Sequence, residues 1–529
     1  MEQSTNMKKK HPSALHPGIL ILNIIVSVLG AIIGMELITR LGISTNTSIV
    51  GALFAILIAR IPINIFKSFR DINSQNLVQT AISGATFSAA NGLMLPIGIP
   101  YLMGRPELVV PMLIGAGLAV VTDATILYFS FDTEAFPAIG AWPPGIAAAE
   151  AILAASRKGR KGVLLLVGIA GGVVGKMLTI PTDIFGVAWI GNIFALLAFG
   201  VGLIFRGYAP QWFGLDLNAM YIPHGVMIGA GLVALIQIIR ILFKKDEGEN
   251  SAGENFTRSL FEMKKGMGRG YLAYIAIALV IALAGGLLSH MSPAMMVFWI
   301  IFAAFAAIAS ELIVGIAAMH SGWFPAFATA LIFLVLGMLI GFPPLALALL
   351  VGFTASTGPA FADMAYDLKA GWILRGSGAD PEFEKEGRKQ QYIAELISFM
   401  VAIIVVAFAH NFYFEQDLFP PVDRVYVATI EAGANIDVAM KLLIWAVPGA
   451  IIQFAGGPSR QLGVLFATGL LINYPIAGIT VIAGLIIRTI VVKIFKQEGQ
   501  NSLYVLGAGF IAGAAVYGFF TSTLKLGKK

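Results

Sequence analysis

Gly18-Ile-Leu-Ile-Leu-Asn-Ile-Ile-Val-Ser-Val-Leu-Gly-Ala-Ile-Ile-Gly-Met-Glu-Leu-Ile-Thr39 holds a single charged residue, Glu36, in 22 positions. A bilayer core about 30 Å thick is crossed by a helix of roughly 20 mostly apolar residues, so this stretch is long enough to span. The basic stretch Lys8 to Lys10 precedes it, and such a flank stays on the cytoplasmic side. The run is too long for the apolar region of a secretory signal, and no small-x-small cleavage site with a soluble continuation follows. It is read as a retained first span, with residues 1–17 as a cytoplasmic tail.

Comparable runs recur at about 48–66, 75–102, 106–131, 161–179, 185–206 and 218–243. After a polar stretch, 244–268, they resume at about 270–288, 292–319, 324–341, 343–367, 391–411, 438–456, 464–492 and 502–522, making fifteen long runs. Composition agrees: of 529 residues 58% are hydrophobic and 12% charged, and mean hydropathy is +0.84. A soluble domain carries about 25% charged residues, so a soluble enzyme, a disordered chain and a nucleic-acid-binding module are all excluded. The net charge of +6 is too small for a polyanion partner, and with no cysteine there are no disulfides, thiolate metal sites or cysteine nucleophiles.

A shorter piece, Trp142 to Ser156, opens with Pro143, Pro144 and Gly145. Its 15 residues reach only about 22 Å as helix, which suits a re-entrant or half-spanning segment. Counting it as a crossing puts both basic termini inside and Arg157 to Lys161 outside, against the positive-inside rule. The halves on either side of 244–268 also resemble each other. Ile82-Ser-Gly-Ala-Thr-Phe-Ser88 parallels Ser356-Thr-Gly-Pro-Ala-Phe-Ala362, and Tyr221-Ile-Pro223 parallels Tyr474-Pro475. Matched halves are a hallmark of secondary transporters, whose sites lie between the repeats. The expected fold is therefore an all-α polytopic membrane protein with about 14–16 membrane-embedded helices and a two-fold internal repeat. Its parts are a first transmembrane half (18–243), a polar linker (244–268), a second half (269–522) and a basic tail (523–529).

No catalytic constellation is present. There is no HExxH, and the six histidines are scattered, so neither a metal site nor a cofactor is expected. Gly171-Gly-Val-Val-Gly-Lys176 fails the phosphate-loop pattern, with Ala170 for the first Gly and Met177 for the Ser or Thr. With no nucleotide hydrolysed, transport would run on an ion gradient. Glycines four apart (Gly30 and Gly34, Gly171 and Gly175, Gly225 and Gly229, Gly509 and Gly513) are read as packing positions that let helices approach closely.

Ionisable groups inside apolar runs need a reason, because a charge at the bilayer centre costs several kcal/mol. Asp123 and Glu150 sit inside such segments, Glu311 and His320 border one run, and Asp363 and Asp367 close another. Asp363 and Asp367 are four apart and share a helix face. Two close carboxylates in a low-dielectric setting cannot both ionise cheaply, so the pair could load and release a proton, with Asp123 and Glu150 as further candidates. Alternatively, Lys369 could neutralise one acid and reduce the pair to a structural ion bridge. The helix opening at Pro143 could present its first amides, at Gly145 and its neighbours, to a substrate carboxylate.

Several stretches together resemble the oligopeptide transporter family, particularly its yellow-stripe-like and prokaryotic branch. They are Ser83 to Asn91, Trp142 to Glu150, Leu215 to Gly229, Asp363 to Leu374, Leu470 to Pro475 and Gly509 to Gly513, in the family's order over roughly 20–522. Ile146 departs from the family's usual Thr, and Ala514 stands where members often carry Glu. The resemblance implies proton-driven symport of small peptides or metal–chelate complexes across the plasma or inner membrane. It implies a substrate site that includes Trp142, Pro143, Gly145, Glu150, Ser83, Asn91, Tyr221 and His224. The expected partners are that substrate, protons and the lipid bilayer, with no nucleic acid; a homodimer is compatible with the sequence. A channel or another solute carrier is the alternative reading, and a membrane-embedded enzyme a distant third.

Overall fold

The structure is a computed structural model that describes residues 10–41, 48, 51–52, 54–56, 69–154, 160–243, 256–322, 325–433, 436–472 and 474–526. Most of the run expected at 48–66, the cluster 157–159 and residues 244–255 of the polar linker lie outside the described residues. Among the described residues there is no β-strand; one isolated bridge joins Phe131 and Phe136. Lipid offers backbone N–H and C=O groups no partners, so helices that satisfy them internally are the expected outcome. Ten helices among the described residues are long and apolar enough to cross a membrane, and shorter apolar helices stand beside them. The protein is an all-α polytopic membrane protein.

The first half of the chain contributes α1 (Pro17–Leu41), α2 (Ile72–Leu102) and α3 (Val109–Ser130). Then come the short α4 (Pro143–Ala154), α5 (Arg160–Met177), α6 (Thr182–Ile190), α7 (Ile193–Phe213) and α8 (Ile222–Phe243). The remainder begins with α9 (Leu260–Ala284), α10 (Pro293–Ser321), α11 (Ala326–Ile340), α12 (Pro344–Ser356) and α13 (Pro359–Leu374). It continues with α14 (Pro381–Phe414), α15 (Pro421–Ala432), α16 (Ile436–Arg460), α17 (Leu462–Leu471) and α18 (Pro475–Leu526), the last broken at Lys496.

Packing is inverted relative to a soluble protein. On α1, Asn23 and Ser27 are fully buried while Ile21 and Ile25 are 59% and 53% exposed. On α14, Glu395 and Ser398 are buried while Phe408 is 86% exposed. In water such faces would aggregate; against lipid the apolar side chains are already in their preferred solvent, and polar groups are kept out of it. Small residues make that interior tight. A Cβ on Gly513 of α18 would lie 2.0 Å from the Ile169 carbonyl oxygen of α5, and one on Gly229 of α8 1.8 Å from that of Ala446 on α16. The glycine opposite Gly509 on α5 is Gly168, whereas Gly171 faces the Phe510 ring and Gly175 faces Thr182.

Several runs expected as single spans are broken. Asn192 ends the 185–206 run as one helix, because its side chain accepts from the amides of Phe194 and Ala195 and starts α7 afresh. The 464–492 run divides between α17 and α18 ahead of Pro475. Polar residues at 256–268 are not all linker: Ser259 and Glu262 form a capping box, and helix α9 begins at Leu260. Within α2, Ser88–Met94 is wound as a π-helix, and α12 gives way to α13 at Gly358, whose φ of 94° is open chiefly to glycine.

Candidate functional site

Helices α2, α13 and α14 meet in the interior and bring three carboxylates together. One oxygen from each of Asp363, Asp367 and Glu395 lies within 4.8 Å of the others, and all three residues are buried. Asp363 and Asp367 share a face because they are one helical turn apart. Glu395 joins them because Gly84, on α2, leaves space: a Cβ there would lie 2.5 Å from Glu395 Oε1. Ser83 Oγ donates to the Asp363 carboxylate at 3.1 Å. Asp367 Oδ1 accepts from Ser48 Oγ at 2.6 Å and from Gln79 Nε2 at 2.5 Å. Asp367 Oδ2 and both Glu395 oxygens have no hydrogen-bond partner among the described residues.

Two unit charges 4.8 Å apart repel by roughly 3–4 kcal/mol at an effective dielectric constant of about 20. Three such charges held together in a buried site call for neutralisation by protons or by a cation. Lys369 does not supply it: its Nζ donates to the Ala138 carbonyl at 2.7 Å and sits 4.4 Å from the centre of the Trp372 ring. The ion bridge weighed for Lys369 in the sequence is not formed, since residue 369 leaves the helix on a different side from 363 and 367.

The cluster is braced from one side. Gln391 Nε2 donates to the Asp367 carbonyl at 2.7 Å and to Thr80 Oγ1 at 3.1 Å, while its oxygen accepts from Arg375 at 2.8 Å. Arg375 grips Glu384 with two bonds of 2.7 and 2.9 Å. Glu384 also meets Arg388, which reaches Asp132 and the Phe131 carbonyl.

A second acidic centre lies at the start of α13. Asp123 Oδ2 accepts from the amides of Gly358 (2.7 Å) and Phe361 (3.2 Å), satisfying donors that open the helix. The Tyr274 hydroxyl stands 2.9 Å from Asp123 Oδ1 and 2.8 Å from Glu311 Oε2.

The segment at 142–154 enters the interior, and Trp142, Pro143 and Gly145 are all buried. Its expected amide anion site is not formed. Pro143 and Pro144 have no N–H, and the amides of Gly145 and Ile146 both donate to the Trp142 carbonyl. The double proline that starts the helix removes the very donors an anion would need, and Gly145 instead lies against the Tyr366 carbonyl and Lys369. Glu150 is half-buried on the same helix. Asn91 lies in the π-helical turn of α2 with its Nδ2 unpartnered among the described residues.

Tyr221 and His224 stand apart from the acids. They line a cavity of about 500 Å³ with Leu331, Arg424 and Thr429, and His224 Nδ1 is buried without a hydrogen-bond partner among the described residues. Glu395 and Tyr274 were not singled out in the sequence. Glu395 was legible as a lone acid near the start of the 391–411 run; Tyr274 carried no signal.

No curated protein matches the chain significantly. The family model for the OPT oligopeptide transporter protein matches residues 18–243 and 219–525, nearly the whole chain. With buried carboxylates inside a multi-pass helical membrane protein and a family match of this extent, the chain belongs to the OPT oligopeptide transporter family.

Proposed function

We propose that the protein is a proton-coupled symporter for small peptides or metal–chelate complexes in the cell membrane. The family supports transport of oligopeptide-type substrates rather than catalysis. The observation that carries the proton coupling is the cluster of Asp363, Asp367 and Glu395, three buried carboxylates within 4.8 Å. Such a group binds a proton where it faces high proton concentration and releases it where it faces low, because charge repulsion inside the cluster changes with every proton bound. Ser83 and Gln79 hold two of the acids in place, and Asn91 and Glu150 are proposed to face the same path. The cavity at Tyr221 and His224 is proposed to receive substrate; its volume of about 500 Å³ falls in the range of small-molecule sites. The two halves, 18–243 and 269–522, are proposed as the units that move relative to each other.

Purified protein in sealed proteoliposomes, given labelled di- and tripeptides or metal chelates, tests the reading. Symport requires accumulation above the outside concentration under an imposed inward proton gradient, abolished by a protonophore. Equilibration without accumulation would identify a channel or uniporter and overturn the coupling.

A further inference from the structure

The Tyr274 hydroxyl lies within hydrogen-bond distance of two carboxylates, yet it has one proton to give. If both acids were ionised, one of these two short contacts, 2.9 and 2.8 Å, would set two acceptor oxygens against each other. The count closes only when a second proton is present. Its place follows from the partners of each acid. Asp123 accepts from two backbone amides as well as Tyr274, a set that favours the ionised carboxylate. Glu311 accepts from no amide, and its Oε1 is fully buried without a partner among the described residues.

We propose that Glu311 is a proton-binding site. Protonated Glu311 donates a hydrogen bond from Oε2 to the Tyr274 oxygen, the Tyr274 hydroxyl donates a hydrogen bond to Asp123 Oδ1, and ionised Asp123 accepts from the Gly358 and Phe361 amides. The line runs across α10, α9, α3 and the start of α13. The titratable groups facing it from these elements are Asp123, Tyr274 and Glu311 themselves. From α12 the neighbour is the Phe353 ring, 5.9 Å from that of Tyr274. No lysine, arginine or histidine is paired with either acid among the described residues.

When the proton leaves Glu311, two carboxylates compete for one phenolic proton, and Asp123 Oδ1 can lose its Tyr274 donor while Oδ2 still accepts from the first amides of α13. That helix carries Asp363 and Asp367. Proton occupancy at Glu311 therefore changes the net charge beside the start of that helix. This deepens the proposed symport by adding a proton store outside the three-acid cluster, but the bound proton is detectable without any transport.

Infrared difference spectra of the full-length protein in proteoliposomes, in H2O and D2O, read protonated carboxyl groups through their carbonyl stretch. The expected result is a protonated-carboxyl band at neutral pH that is lost in Glu311→Gln, shifts in Tyr274→Phe and persists in Asp367→Asn. If Glu311→Gln does not fold, Tyr274→Phe must still shift the band, since the phenol bonds the protonated carboxyl, and Asp123→Asn must retain a band, since the proton is not on Asp123. A spectrum identical to the wild type in Glu311→Gln or in Tyr274→Phe overturns the proposal. So does a band that appears only when sodium is withdrawn, which would make the ligand a metal cation. A protein that fails to accumulate substrate but keeps this band refutes symport and leaves the proton site standing.

Discussion

Asp367 and Glu395 show how one buried site can hold charge and still be adjustable. Among the described residues Asp367 has one oxygen fixed by Ser48 and Gln79 and the other without a hydrogen-bond partner, and Glu395 has neither oxygen fixed. Replacing either acid by its amide removes a proton site at nearly constant shape. Asp367→Asn or Glu395→Gln is expected to lower the gradient-driven accumulation ratio to one while substrate exchange between equal pools continues, measured in the same vesicles. Full accumulation in the double variant would remove the cluster from the coupling. Gly84→Ala is the steric counterpart: its methyl would meet Glu395 Oε1 at 2.5 Å and Ser398 Oγ at 2.6 Å. It is expected to impair accumulation as much as Glu395→Gln does, without altering any charge.

At the scale of the element, small residues decide which helices touch. Helices α5 and α18 cross where Gly168 and Gly172 meet Gly509 and Gly513, with carbonyl oxygens at 2.0–2.7 Å from the built Cβ positions of Gly168, Gly172, Gly509 and Gly513. Overpacking of this kind costs about 1–3 kcal/mol where neighbours can give and more where they are backbone. Gly513→Val should therefore lower the thermal unfolding temperature in detergent markedly. Gly268→Ala on α9, where nothing lies within 4 Å, should leave it unchanged or raise it, by up to about 1 kcal/mol of helix propensity. The spacing of the glycines in sequence announced the close packing; which glycine faced which needed the crossing geometry.

Across the whole molecule, the chain of Gln391, Arg375, Glu384, Arg388 and Asp132 ties α13 and α14 to the 131–136 turn after α3. Asp132 also accepts from the Thr257 amide and hydroxyl, just ahead of α9. Both arginines and Glu384 are buried. Removing one partner of a buried pair leaves the other charge stranded, at a cost of about 3–5 kcal/mol. Arg375→Met is expected to lower the unfolding temperature strongly, and Arg375→Met with Glu384→Gln to recover much of the loss, as a thermal melt of the detergent-solubilised protein would show. A double variant no better than the single would mean that the pair is not the source of the loss.

The sequence by itself determined the class: long apolar runs with buried polar positions admit only a multi-pass helical membrane protein, because lipid solvates no free backbone. It also marked Asp363 and Asp367 as a facing pair, since that needs only the helical period. It led to an anion site at Pro143 that the same residues forbid, because prolines carry no N–H. What only the tertiary structure decided were the partners. Glu395 lies 28 residues beyond Asp367, Tyr274 lies 151 from Asp123 and 37 from Glu311, and Lys369 turns to a carbonyl instead of an acid. No local period encodes such meetings; they follow from which helices can approach closely and which buried polar groups must then satisfy one another.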